Sequence, residues 1–286
     1  MKTQERINQL TSQLSNPTTT TKCSYLSPGP HPSKEELIAT LDAQGYVVIP
    51  NYITKEKVKE IRDDLLRVIK ELPSGRNNFE GFETKRIYAL FAKTRTFDEL
   101  AIDPLLMSVC EAILGRYIQL SSPTGISIGP GEKEQIPHRD GDKYPLPRSY
   151  TREVVINTMW AIDDFTEENG ATVIYPKTHK PHLRLDPNSP SMNAIMDLDS
   201  DPSRYHVPED DNVPPMSAVM PAGSVMIYVG TLLHGGGANK TKKPRIGVIL
   251  EYAAAWLRQQ ENHSLAVPGF FFLKKKIQFF FLNKTK

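Results

Sequence analysis

Residues 153–175, EVVINTMWAIDDFTEENGATVIY, decide the fold. Glu153–Ile162 is a β-branched and aromatic run, Glu168-Asn169-Gly170 is a turn signal, and Ala171–Tyr175 resumes the apolar, β-branched character. The same grammar recurs on either side. Tyr117–Ile128, Ser224–Val229 and Ile246–Tyr252 are further strand runs, punctuated by Gly129-Pro130-Gly131 and Pro221-Ala222-Gly223. Short strands with no helices alternating between them predict an antiparallel barrel or jelly roll.

The chain before Gly115 has a different character. Ser33-Lys34-Glu35-Glu36 is a capping box, and Gly45 closes the helix that follows. Tyr46–Pro50 reads as a short buried strand. Thr54 caps a second helix with Val58, Ile61, Leu65, Val68 and Leu72 on one face. Asp103 with Pro104 starts a third helix, which Gly115 ends. The expected organisation is a loosely ordered arm over 1–32 and one domain over 33–268. Within that domain, helical support occupies 33–115 and the β core 116–268. A proline-rich, acidic stretch at 180–215 has no period and reads as a lid-like loop.

Composition bounds the function. The 286 residues are 39% hydrophobic and 24% charged, an ordinary globular balance. No apolar run approaches the roughly 20 residues of a membrane span. Cys23 and Cys110 are the two cysteines, which excludes a disulfide scaffold and a thiolate-rich metal site. With no apolar signal core at the N-terminus, the expected location is cytoplasmic. The net charge of +2 comes from the last eighteen residues, which hold five lysines and no acid; without them, basic residues fall from 35 to 30 against 33 acids. A nucleic-acid partner is therefore not expected. The same tail, 269–286, carries two FFF triplets without cap or period and is atypical of the rest; it is expected to make few well-packed contacts with the core.

The chemistry begins at His138-Arg139-Asp140. An H-x-D alone means little, but His and Asp two apart near a strand end point the same way and can ligate one metal. His234, just after the strand Ser224–Val229, offers a third ligand. Two imidazoles and one carboxylate with open positions are the donor set of non-haem Fe(II) oxygenases. A bidentate 2-oxo acid such as 2-oxoglutarate would bring a far carboxylate into the barrel, and arginine is the fork that suits it. Arg245 lies eleven residues after His234, at the start of Ile246–Tyr252. With a hairpin loop between them, the two are expected on neighbouring strands facing one interior.

The stretches QIPHRDGD (135–142), WAIDDFTEENGATVIYPKTHK (160–180) and LLHGGGANKTKKPRIGV (232–248) together strongly resemble the phytanoyl-CoA dioxygenase family of Fe(II)/2-oxoglutarate oxygenases, in particular fungal and bacterial members acting on small metabolites. The resemblance runs from about Asp42 to about Pro268. It implies a mainly β fold with N-terminal helices and a double-stranded β-helix (jelly-roll) core. It implies that His138, Asp140 and His234 bind iron and that Arg245 pairs with the distal carboxylate of 2-oxoglutarate. Gln135, Thr172 and Arg86 match positions that contact the co-substrate in similar enzymes, and Trp160 is either a pocket residue or a core aromatic. The implied reaction consumes 2-oxoglutarate and O2 and releases succinate and CO2. It hydroxylates or desaturates a small-molecule substrate, with a place in secondary metabolism. Related halogenases replace the carboxylate ligand with a small residue; Asp140 is present, which favours an oxygenase outcome.

The chain departs from the family at Gly269, where a polar helix-forming segment is expected. Two other readings stay open on the sequence: a cupin-like metal enzyme with no need of 2-oxoglutarate, and a non-catalytic oxygenase-like scaffold disrupted by its tail. The oligomeric state is open as well, a homodimer among the options.

Overall fold

The structure, a computed structural model, describes residues 32–144, 146, 150–179 and 214–267. The expectations for the arm 1–31, for most of the loop 180–215 and for the tail 269–286 lie outside the described residues.

The helices begin where local chemistry says they should. Ser33 caps α1 (Lys34–Gln44): its Oγ accepts from the Glu36 N–H at 3.2 Å, and the Glu36 carboxylate accepts the Ser33 N–H at 2.8 Å. Gly45, at φ +82°, ends the helix in the left-handed conformation that a side chain resists. A Cβ there would also stand 2.7 Å from the ring of His179. Thr54 caps α2 (Lys55–Ile69), which buries Val58, Ile61, Leu65 and Ile69. The buried stripe therefore closes on Ile69, and Val68 and Leu72 sit half-buried at its margin. The short α3 (Leu90–Lys93) precedes α4 (Pro104–Leu114). Asp103 caps α4 by accepting from the N–H groups of Leu105 and Leu106, both at 3.0 Å.

Among the described residues nine strands follow the helices or interleave with them: β1 (Tyr46–Ile49), β2 (Thr84–Ile87), β3 (Ile118–Ile128), β4 (Val155–Ala161), β5 (Thr172–Ile174), β6 (Met216–Ser217), β7 (Val225–Val229), β8 (His234–Gly236) and β9 (Arg245–Ala254). They form two antiparallel sheets. The larger has the order β1-β7-β4-β9-β3-β2, the smaller β6-β5-β8. The molecule is thus mainly β with few helices. The division at Gly115 is not a division of layers, because β1 and β2 are the two edges of the larger sheet. β2 (TKRI) was not foreseen: four residues with two charges carry no strand signal of their own, and pairing with β3 supplies it.

α4 packs on β3, β4 and β9, and α1 on β1 and β7, so the helices cover one face of the larger sheet. β4 and β7 are consequently buried along their whole lengths. This is why they read as mainly apolar runs without strict alternation, β4 carrying Asn157 and Thr158 in its middle. Each fully buried Leu or Ile side chain in that layer, such as Leu37 or Ile61, stabilises the fold by about 1.5–3 kcal/mol. The other face of the larger sheet meets the smaller sheet, and the site lies between them. Among the described residues no helix is long and apolar enough to cross a membrane.

Candidate metal and co-substrate site

His138, Asp140 and His234 converge, each offering one ligand atom within 4.8 Å of the others. His138 Nε2 is 3.7 Å from Asp140 Oδ1, and His234 Nε2 is 3.4 Å from Asp140 Oδ2. The convergence does not arise from one strand, as the H-x-D spacing suggested. His138 forms a single antiparallel bridge with His234, exchanging backbone bonds of 2.8 and 3.0 Å. Asp140 then opens a 3-10 turn, Asp140–Lys143, whose Gly141 N–H is held by the Gly230 carbonyl at 2.8 Å. The turn, rather than the two-residue period of a strand, brings the carboxylate back over the imidazoles.

Both imidazoles are prepared as ligands. His138 Nδ1 lies 3.0 Å from the Ile136 carbonyl, and His234 Nδ1 lies 3.0 Å from that of Leu232. An Nδ1–H committed to a carbonyl leaves the Nε2 lone pair facing the centre. Burial, helped by the neighbouring His234, pushes His138 down to about 4, so the ring is neutral near pH 7. Burial alone would raise the Asp140 carboxyl. The Lys143 ammonium, with smaller contributions from the neighbouring imidazoles, outweighs it and holds the group well below the usual carboxylate range. Asn157 Nδ2 donates to Asp140 Oδ2 at 2.9 Å.

A cavity of about 230 Å³ opens on these three residues and runs to Arg245. Arg245 is 2% exposed. Its Nη2 donates to the Gly170 carbonyl, and its guanidinium lies 4.0 Å from the centre of the Phe165 ring, a cation–π contact. Its Nε–H is buried without a partner among the described residues. Burial and the charge of Arg86 lower its pKa to about 9 against the opposing pull of Asp163. A buried cation held by one carbonyl and a ring lacks the counter-charge that such a group requires. Gly247 makes this packing feasible, since a Cβ there would meet the Phe165 ring at 2.7 Å.

His234 and Arg245 are not on neighbouring strands. β8 pairs with β5, and β9 with β3 and β4. The segment between them crosses from the smaller sheet to the larger. Asn239 pins the crossing by donating to the carbonyls of Ile128 and Lys243, both at 2.9 Å. The two residues therefore face one interior from opposing sheets.

The other sequence candidates divide. Thr172, on β5 opposite Gly236, is buried and lines the cavity. Gln135 lines it too, but both ends of its amide are used: Nε2 donates to the Phe79 carbonyl and Oε1 accepts the Gly236 N–H, each at 3.0 Å. Arg86, on β2, donates to the carbonyls of Glu80 and Phe79 at 3.1 Å and lines the same cavity. The Phe79 ring stands edge-on to His138 at 5.0 Å. Of the two readings of Trp160, the structure places it as a core aromatic. It is fully buried on the helix-facing side of β4, edge-on to Tyr52 and Phe97, while its neighbour Met159 faces the cavity. Strand alternation decides between the two.

Phytanoyl-CoA dioxygenase (PhyH) is the family whose model matches, over residues 41–247. The chain belongs to the phytanoyl-CoA dioxygenase family. Among curated relatives, this family member is 29% identical to the dioxygenase aneA of Aspergillus aculeatus, over 82% of this chain and 76% of that protein. It is 28% identical to the dioxygenase FUM3 of Gibberella moniliformis, with the same coverages. Among solved structures it shares its fold with the epimerase SnoN in complex with Fe3+, alpha ketoglutarate and nogalamycin RO, at a TM-score of 0.63 and 21% identity over 83% of this chain and 91% of that one. EctD from S. alaskensis with 2-oxoglutarate and 5-hydroxyectoine aligns at a TM-score of 0.60 and 18% identity, over 81% and 79% of the two chains.

Several residues around the site of this phytanoyl-CoA dioxygenase family member were not singled out from sequence: Phe79, Lys143, Asn157, Phe165, Tyr228 and Glu251. Asn157 lies on β4, where strand alternation was the available signal, and Phe165 lies in the connection between β4 and β5. Glu134, just before Gln135, carries a pH effect of its own. Burial raises its carboxyl from 4.5 to about 7, against a weaker opposing pull from Lys240. An acid whose folded pKa lies above its unfolded one favours the fold fully below about 4.5 and loses that advantage as pH rises through 7. Thermal melts from pH 4.5 to 8 should show a steeper loss of stability in wild type than in Glu134→Gln. Parallel curves would reject this assignment.

Proposed function

We propose that this chain is an Fe(II)- and 2-oxoglutarate-dependent oxygenase that hydroxylates or desaturates a small organic metabolite and releases succinate and CO2. Its two sheets are the halves of a double-stranded β-helix, and residues 33–268 act as one domain. The observation that carries the reading is Arg245, a buried guanidinium with an unpartnered Nε–H, in the same cavity as a His-Asp-His cluster. A cupin-like metal enzyme without 2-oxoglutarate leaves that cation unexplained.

The donor set fits the metal: two imidazoles with Nδ1 committed elsewhere, and one ionised carboxylate. His138, Asp140 and His234 would hold Fe(II), which with 2-oxoglutarate and O2 supplies the oxidising chemistry. Arg245 would fork the distal carboxylate, and Phe165 keeps the guanidinium aimed by stacking on it. Thr172 would add a hydroxyl contact. Arg86 lends positive charge, and its bonds with those of Gln135 hold the Phe79 carbonyl, so that the Phe79 ring covers His138 and keeps water from one side. The fungal relatives aneA and FUM3 are named as dioxygenases, which supports the oxygenase reading.

Anaerobic titration with Fe(II) and 2-oxoglutarate tests the reading. The expected result is a visible charge-transfer band that saturates at one equivalent, followed on admitting O2 by succinate. Folded protein with no band would reject it.

A further inference from the structure

A row of polar side chains crosses the larger sheet. In the β1-β7-β4-β9-β3 register, Tyr46 lies opposite Tyr228, Tyr228 opposite Asn157, Asn157 opposite Glu251, and Glu251 opposite Ser122. Register partners project to one face. This face looks at the metal cluster: the Tyr228 ring is 4.7 Å from that of His234, and Asn157 reaches Asp140. Lys143, from the turn that Asp140 opens, completes the arrangement. Its Nζ is 2.7 Å from Glu251 Oε2 and 3.5 Å from Asp140 Oδ1. Gln260 donates to the other oxygen of Glu251. Asp140 is thus flanked on both sides, by an amide on Oδ2 and by an anchored ammonium near Oδ1.

Asn157 is 0% exposed, and its Oδ1 has no hydrogen-bond partner among the described residues. An amide kept only for packing or for sheet cohesion would satisfy both ends or be replaced by leucine. Here one end is left unsatisfied and the other is spent on a single carboxylate oxygen.

We propose that Asn157 is a positioning residue that turns Asp140 to offer one oxygen, Oδ1, to the metal, with Glu251-anchored Lys143 limiting rotation from the other side. This rests on the oxygenase reading above. It goes beyond that reading by assigning how the carboxylate is held.

The test compares wild type with Asn157→Leu, which keeps size and removes the donor. Anaerobic Fe(II) titrations would be run with and without 2-oxoglutarate, beside melting of the metal-free proteins. The expected result is metal-free Asn157→Leu melting at or above wild type, Fe(II) affinity weaker by about 10–100-fold, and a shifted charge-transfer band at saturating metal. A merely structural role would lower melting and leave the band where it is. Should the leucine variant not fold, Asn157→Ser, too short to reach Asp140, carries the same comparison. A wild type with no band overturns the functional reading and this inference with it. A wild type with a band, beside a folded variant of unchanged affinity and band, overturns the inference alone.

Discussion

Replacing His138 with alanine is expected to abolish measurable Fe(II) binding while leaving the fold intact. The two effects separate because the His138–His234 bridge is made by backbone groups, with bonds of 2.8 and 3.0 Å that an alanine keeps. What alanine removes is one of three ligand atoms clustered within 4.8 Å, together with the ring that packs against Phe79 and His234. The loss of affinity should exceed the roughly 10–100-fold that follows from losing an outer partner, because an inner ligand is gone. Calorimetry with Fe(II) under anaerobic conditions, beside circular dichroism, reads both quantities. Retained affinity in the folded variant would mean that the metal, if any, sits elsewhere.

Arg245→Met is expected to have opposite effects on stability and on co-substrate binding. In the metal-free protein it removes a buried cation whose Nε–H has no partner and which Arg86 repels. Melting should therefore hold or rise, since a well-packed apolar replacement of a buried charge is often neutral or stabilising. Binding of 2-oxoglutarate should collapse, because its distal carboxylate would enter the same cavity without a counter-charge. Leaving a buried charge unpaired costs about 3–5 kcal/mol, or two to nearly four orders of magnitude in affinity. Arg245→Lys should fall between, keeping the charge and losing the fork. Titrating 2-oxoglutarate into the iron-loaded variants at fixed protein concentration measures this directly. Equal affinity in wild type and Arg245→Met would remove Arg245 from the co-substrate site.

The two variants also separate the readings that sequence left open. A cupin-like enzyme would lose metal with His138→Ala and be indifferent to Arg245→Met. An oxygenase would be sensitive to both.

Much of this was legible in the amino-acid sequence. The caps at Ser33, Thr54 and Asp103 and the helix ends at Gly45 and Gly115 are local, and local hydrogen bonds decide them. The apolar runs of β4 and β7 were legible because both of their faces are buried, so their hydrophobicity needs no knowledge of what covers them. His138, Asp140, His234 and Arg245 were legible as candidates because a metal and a dicarboxylate would demand particular donors, and few side chains supply them; the structure brings all four to one cavity.

Only the tertiary structure decided how these residues meet. The turn at Asp140–Lys143 replaces the expected strand because the distant Gly230 carbonyl receives the Gly141 N–H. Arg245 faces His234 across the gap between two sheets because Asn239 ties the crossing segment to β3. β2 exists because β3 offers it a free edge. The polar row of Tyr228, Asn157, Glu251 and Ser122 draws one residue from each of four strands scattered over 130 residues. Each is unremarkable in its own segment, and only the register of the sheet lines them up beneath the metal cluster.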